Sequence, residues 1–240
     1  MYVEHVYCIN LERRKDRKRS SENQFKIHGI ENVEFFNATD GNVKSPPGIQ
    51  VTKPEWGCAD SHIRIWRDII EQNYGTVLVF EDDINISENF LEKLWLVMND
   101  LKDTDWDYVN LGPSPYPFRI DGSRETEFVQ EGLSLLTHCY LITRKGAEKL
   151  AKWNPDDLRC SIDTQIAKTP LKMYYAKDTI VTQEVSGSPL MGLFSSVING
   201  DIGFSRTLPV WFIIESSIVH ICLIILLIVF LIKKYGSFKN

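Results

Sequence analysis

Val77-Leu78-Val79-Phe80-Glu81-Asp82-Asp83 is an apolar run that ends in three adjacent carboxylates. A run with no polar residue on either face reads as a central strand of a parallel sheet, covered on both sides. Three neighbouring anions repel one another, so placing them directly after such a strand calls for a reason. A divalent cation is one, since Mg²⁺ and Mn²⁺ take oxygen ligands and bridge one or two carboxylates to substrate phosphates. A solvated acidic turn is the alternative. Strand alternation puts Glu81 and Asp83 on one face and Asp82 on the other, unless the chain turns.

Outward from this run, strands and helices alternate. Cys58 to Tyr74 predicts an amphipathic helix with Ala59, Ile63, Trp66 and Ile70 on its inner face. Asp60/Arg64 and Arg67/Glu71 stand at i,i+4 on the outer face. After the acidic trio, Ser87 is the expected cap of a helix carrying Phe90, Leu91, Leu94, Val97, Met98 and Leu101. Upstream, Val3 to Ile9 reads as a strand, Lys15 to His28 as a helix ended by Gly29, and Val33 to Phe36 as a second strand. Asn37 to Lys53 and Gly112 to Gly122 hold glycines and prolines and read as loops. Trp106 to Leu111 and Cys139 to Ile142 read as strands, with a helix from Lys145 to Trp153. The expectation is an α/β domain with a mainly parallel sheet. Its ligands belong at the carboxyl ends of the strands.

The chain has 240 residues, 43% hydrophobic and 25% charged, with a formal net charge of −5. Those proportions exclude a disordered tail, a collagen and a polytopic membrane protein. The acidic balance argues against nucleic acid as a partner. Cys8, Cys58, Cys139, Cys160 and Cys222 are widely spaced without a CxxC pair, so neither a zinc framework nor a disulfide framework is suggested.

Val210 to Ile232 is dominated by Ile, Leu, Val and Phe, and Lys233 and Lys234 follow it. As a helix it would span roughly 35 Å, enough for a hydrocarbon core of about 30 Å. The expected organisation is a folded domain over residues 1–188, a linker over 189–209, a transmembrane helix over 210–232 and a short basic tail over 233–240. Met1 to Leu11 carries Glu4 and His5 and reads as a strand rather than a secretory signal. The expected localisation is a single-pass membrane protein anchored C-terminally. The two lysines favour a cytosolic C-terminus. A C-terminal anchor without a leader favours a cytosolic domain, which is the preferred facing.

Two further stretches could carry chemistry. Every residue from Arg13 to Arg19 except Asp16 is basic, where the first strand hands over to the first helix. A helix N-terminus offers free N–H groups and Arg grips phosphate, although a solvated basic face accounts for most of these side chains. In Trp56-Gly57-Cys58-Ala59-Asp60-Ser61-His62, Gly57 permits close backbone approach and Ser61 and His62 open the helix. His62 precedes Ile65, Trp66 and Ile69 at helical spacing, so a packed core histidine is the competing reading. No Walker, GxGxxG or GxSxG motif is present.

In order, "CINLERRKDR" from Cys8, "EWGCADSHIRIW" from Glu55, "VLVFEDD" from Val77 and "CYLITRKGAEKL" from Cys139, followed by Asp163 and "VTQEVSGS" from Val181, resemble glycosyltransferase family 25. That family comprises bacterial lipopolysaccharide sugar transferases and collagen galactosyltransferase-like domains. The resemblance covers Tyr2 to Ser188. It implies a GT-A-like fold with a single nucleotide-sugar-binding domain, and a divalent metal, Mn²⁺ or Mg²⁺. It implies inverting transfer of a hexose, galactose or glucose, from a UDP-sugar donor to a hydroxyl on a glycan or protein acceptor. Carried over by position, Asn10, Arg13 and Arg17 would hold the donor nucleotide or diphosphate. Gly57, Ser61 and His62 would line the donor pocket, with Glu81 and Asp82. Asp83 and Glu81 would bind the metal, and Asp163 would be the base. Two rivals remain: a catalytically silent, anchored glycan-binding protein of the same fold, and a metal-dependent nucleotidyltransferase or phosphohydrolase.

Overall fold

The computed structural model describes residues 2–114, 117–120 and 122–184. The expected linker, transmembrane helix and basic tail lie outside the described residues. Among those described, no helix is long and apolar enough to cross a membrane.

The chain begins with strand β1 (His5–Asn10), helix α1 (Lys15–Ile27) and strand β2 (Val33–Asn37). Gly29 ends the α1 turn with φ of +66°, as its position after the helix predicts. A short helix α2 (Gly41–Lys44) leads to the long helix α3 (Lys53–Glu71) and strand β3 (Thr76–Glu81). Then come β4 (Ile84–Ile86), α4 (Phe90–Asp100), β5 (Tyr108–Asn110), β6 (Phe118–Arg119) and β7 (Val129–Leu133). Strand β8 (Cys139–Thr143), helices α5 (Arg144–Leu150) and α6 (Ile162–Lys168), β9 (Met173–Ala176) and β10 (Val181–Gln183) complete the fold.

The main sheet has the order β2-β1-β3-β8-β5-β9-β7-β6, and β10 pairs with β4 in a separate ribbon. Strand β1 is parallel to β2 and β3, and β5 is parallel to β9. Strand β8 is inserted antiparallel between β3 and β5, and β7 is antiparallel to β9 and β6. Most strands therefore share one direction, as expected, but the sheet is mixed. Two apolar layers cover it. One joins Phe25, Phe80, Phe90, Val97 and Trp106 on the α1 and α4 side; the other joins Tyr7, Ile63, Trp66, Val79, Tyr140 and Leu150 on the α3 and α5 side.

Several local expectations are corrected. Helix α3 starts at Lys53, not Cys58, because Thr52 and Glu55 form a reciprocal capping box and Pro54 suits the first turn. Its burial extends around the helix to Trp56, Ser61, His62, Ile65 and Ile69, while Ile70 is only half-buried. The predicted i,i+4 pairs do not form. Asp60 accepts from Thr39 Oγ1, Arg64 donates to Asn37 O, and Arg67 donates to the carbonyls of Ala151 and Trp153. Ser87 does not cap α4. Its hydroxyl accepts from Lys93 Nζ at 3.1 Å rather than from a helix N–H, and the cap position is Asn89, whose backbone is left-handed with φ of +59°. The loop expected from Gly112 to Gly122 contains β6.

Strand order reverses between β1 and β3: the chain passes from β1 out to β2 and returns on the other side of β1. In open α/β sheets ligands bind beyond the carboxyl ends of strands at such a switch. Asn10 ends β1 and Glu81 ends β3, so both stand at this point.

Candidate active site

Strand β3 stops at Glu81 and the chain bends through Asp82 and Asp83 before β4. The alternation that would pair Glu81 with Asp83 therefore ends at Glu81. Instead Asp82 and Asp83 share one partner. Arg17, from the first turns of α1, places Nη1 3.1 Å from Asp82 Oδ1 and 3.3 Å from Asp83 Oδ2. Asn10 Nδ2 donates to Asp82 Oδ2 at 2.7 Å, and Ser21 Oγ donates to the Asp82 carbonyl at 3.0 Å. Asp82 is thus fixed at both carboxylate oxygens. Burial nevertheless raises its pKa, against the opposing pull of Arg17 and Asn10.

Asp83 is held differently. Its Oδ2 also receives Gln183 Nε2 at 3.1 Å from β10, but Oδ1 is buried and takes no hydrogen bond. Burial, then the charge of Glu81, pushes Asp83 up to about 7, with Arg17 opposing. A buried carboxylate oxygen without a donor is costly. A hard cation is the group whose chemistry meets that oxygen, so this part of the trio fits the expected divalent metal.

Glu81 faces the other way. Its Oε1 receives Thr137 Oγ1 at 2.6 Å and lies 3.3 Å from His62 Nε2. Burial would raise its pKa, but the hydrogen bond and charge of His62, with the Thr137 hydroxyl, outweigh that and hold Glu81 at about 2. His62 is fully buried, and its Nδ1 lies 2.9 Å from Tyr140 Oη. Both readings of His62 meet here: it is packed in the core and it touches a site carboxylate.

A cavity of about 200 Å³ opens at Glu81, lined also by Glu55, Cys58, Thr137, His138, Asp163 and Gln183; Asp82, Asp83, Asn10 and Arg17 stand behind Glu81 and Gln183 and are not part of its lining. It brings Asp163 to the same wall as Glu81, although they are far apart in sequence. Asp163 Oδ2 accepts the Leu136 N–H at 3.3 Å, and Oδ1 accepts the Thr164 N–H at 2.6 Å.

Not every predicted residue reaches this place. Arg13 is turned outward and pairs with Asp40, Nε to Oδ2 at 2.7 Å. The Ser61 hydroxyl is occupied within the core, donating to Gly57 O and accepting the Thr39 N–H. A Cβ on Gly57 would come within 2.5 Å of Thr39 O and 2.6 Å of Gly41 N. Its close approach is therefore to the chain's own backbone, and Gly57 and Ser61 dock the Thr39–Gly41 turn onto α3.

Thr137, His138 and Gln183 are site residues that sequence reasoning passed over. The signal for the first two was present. Thr137-His138 immediately precedes the apolar strand β8, which runs antiparallel to β3, so its start lies beside the end of β3. The Glu81 N–H donates to His138 O at 2.9 Å across that junction. His138 Nε2 meets Val181 O at 3.1 Å, leaving Nδ1 buried without a partner.

Residues 3–166 match the family model described as glycosyltransferase family 25 (LPS biosynthesis protein). A protein of Aedes aegypti named glycosyltransferase 25 family member is 33% identical over 69% of this chain and 31% of its own length. Human procollagen galactosyltransferase 2 is 25% identical over 88% of this chain and 38% of its own length. The chain thus spans about a third of the length of these curated relatives. Among solved structures, a galactosyltransferase in complex with donor and acceptor sugar analogs aligns over 85% of this chain and 97% of its own, at 9% identity and a TM-score of 0.40.

Proposed function

The chain belongs to glycosyltransferase family 25, and from that premise we propose that it transfers a hexose, galactose or glucose, from a UDP-sugar to a hydroxyl of a glycan or protein acceptor, inverting the anomeric carbon. One observation carries the reading: Asp83 Oδ1, buried and unpartnered at the strand-order switch, beside an Asp82 locked by Asn10 and Arg17. A solvated acidic turn would leave these groups in water. These are withdrawn from it and pre-positioned.

Asp83 would hold the divalent metal, Mn²⁺ or Mg²⁺, which when bound neutralises charge growing on the leaving diphosphate; Glu81, the expected second ligand, is engaged by His62 and Thr137 and would have to turn from them to join it. Asn10 and Arg17 fix Asp82 in place, so no carboxylate must reorganise as the donor arrives. Arg17, shared between Asp82 and Asp83, is a cation near which a phosphate oxygen would settle. Asp163 lines the cavity and, among the described residues, the Leu136 N–H is the sole donor to its Oδ2. That leaves Oδ2 capacity to take the acceptor hydroxyl's proton as the new bond forms. The proposal includes attachment to a membrane through Val210–Ile232, with the domain on the cytosolic side and residues 1–188 as the transferase unit.

The test is a screen of the full chain against several nucleotide sugars, with and without Mn²⁺, reading free UDP and glycosylated acceptor. Metal-dependent UDP release with a glycosylated product supports the transferase. Inorganic phosphate or a transferred nucleotide would instead identify the phosphohydrolase or nucleotidyltransferase. Glycan binding without turnover would identify the silent relative.

A further inference from the structure

The proposed hard-cation position does not use everything on the cavity wall. Cys58 and His62 stand one turn apart on α3, and Glu81 faces them from the end of β3. One ligand atom from each lies within 4.8 Å of the other two. Cys58 is a free thiol lining the cavity. We propose that Cys58, His62 and Glu81 form a binding site for a thiophilic divalent ion of the Zn²⁺ type, with its remaining position open to the cavity.

Three features of the geometry carry this. The first is spacing. His62 Nε2 and Glu81 Oε1 are 3.3 Å apart, long for a hydrogen bond to a carboxylate. With metal–nitrogen and metal–oxygen bonds of about 2.0–2.1 Å, the edge of a coordination tetrahedron is itself about 3.3 Å. The second is orientation. His62 Nδ1 is held at 2.9 Å by the Tyr140 hydroxyl, which also accepts Trp66 Nε1–H at 3.1 Å. The ring is thereby fixed with Nε2 toward Glu81, the outer-shell support that ligating histidines ordinarily have. The third is charge. A thiolate, a carboxylate and a neutral imidazole balance a doubly charged ion, so the filled site is neutral at its buried depth. Binding forms the metal–sulfur and metal–nitrogen bonds and releases to solvent the protons that Cys58 Sγ and His62 Nε2 carry, leaving His62 neutral with its Nδ1–H on the Tyr140 hydroxyl.

Donor chemistry separates this site from the Asp83 position. Thiolate and imidazole select Zn²⁺ and its neighbours, whereas Mg²⁺ and Mn²⁺ prefer an all-oxygen shell. The Cys58, His62 and Glu81 group does not include Asp83. Glu81 is common to both proposals, so a zinc ion held here competes for it. The inference does not depend on the transferase reading.

The experiment titrates the full chain with Co²⁺, a coloured stand-in for Zn²⁺. The expected result is a thiolate-to-cobalt charge-transfer band with tetrahedral d–d bands, bleached by equimolar Zn²⁺. Cys58→Ser should lose at least ~90% of the charge-transfer band, and Asp83→Asn should keep it. If Cys58→Ser fails to fold, alkylation mapping on the wild-type chain gives the same answer, with Zn²⁺ slowing Cys58 modification at least tenfold. No charge-transfer band in the wild type, an undiminished band in folded Cys58→Ser, or no protection of Cys58 would overturn the proposal. Cobalt binding with no turnover of any nucleotide sugar leaves the triad standing and removes the transferase; turnover without the cobalt signature does the reverse.

Discussion

The side-chain amide of Asn10, at the end of β1, donates to Asp82 Oδ2 at 2.7 Å, joining the two strands between which the sheet order reverses. Asn10→Ala removes that donor and leaves a largely buried carboxylate oxygen short of a partner. A hydrogen bond to a charged group contributes about 1.5–3 kcal/mol. The variant is expected to lose about that much stability in a denaturant titration. It should also bind UDP more weakly, since Asp82 is no longer held.

Asp83→Asn is expected to behave in the opposite way towards stability. In the presence of chelator, the wild-type chain carries a buried carboxylate with one unpartnered oxygen. The neutral amide lightens that penalty, so the variant should melt at or above the wild-type temperature. Turnover should fall at least ~100-fold, in line with loss of a preorganised electrostatic group. A melting temperature that drops sharply would assign Asp83 to structure instead.

Gly57→Ala separates a docking role from donor contact. The added methyl meets the backbone of Thr39 and Gly41 rather than the end of a flexible side chain. Overpacking of this kind costs about 1–3 kcal/mol. The expected outcome is a lower melting temperature with unchanged UDP affinity in the fraction that remains folded, measured by calorimetry.

Asp107 supplies a control remote from the reaction. It is fully buried, immediately before β5, and accepts from Lys149 Nζ at 2.6 Å and from the Lys172 N–H at 2.7 Å. Removing one member of a buried ion pair costs about 3–5 kcal/mol, and Lys149 is partly exposed, so Asp107→Ala should sit at the lower end. Its melting temperature should fall without any change in metal dependence.

Much of this fold is legible from residue pattern. The apolar run Val77–Phe80 announces a buried strand, and the spacing of Ala59, Ile63 and Trp66 announces α3. The apolar spacing begins only at Ala59, so it places the start of α3 too late; Thr52 and Glu55, three residues apart, carry the capping signal that sets it. Strands β4 and β10 are three residues each and take their order from each other, so neither has a periodic signal of its own. The same limit applies to the site. The acidic trio was legible because it follows an apolar strand, whereas Asn10 and Arg17 are singled out only through the family resemblance. The outward turn of Arg13 toward Asp40 was not legible, since it depends on a partner brought in by the loop after β2. Gln183 reaches Asp83 from a hundred residues away, through strand pairing that local sequence does not encode.

The central claim is that Asp83 presents its buried oxygen to a divalent cation shared with a nucleotide diphosphate. Calorimetric titration of UDP into the full chain, with Mn²⁺ and with chelator, in wild type and in Asp83→Asn, addresses it directly. The account predicts tight binding in wild type with Mn²⁺ alone, and at least a tenfold weaker affinity in the other three conditions. Equal UDP affinity with and without metal, or affinity undiminished in Asp83→Asn, would contradict it.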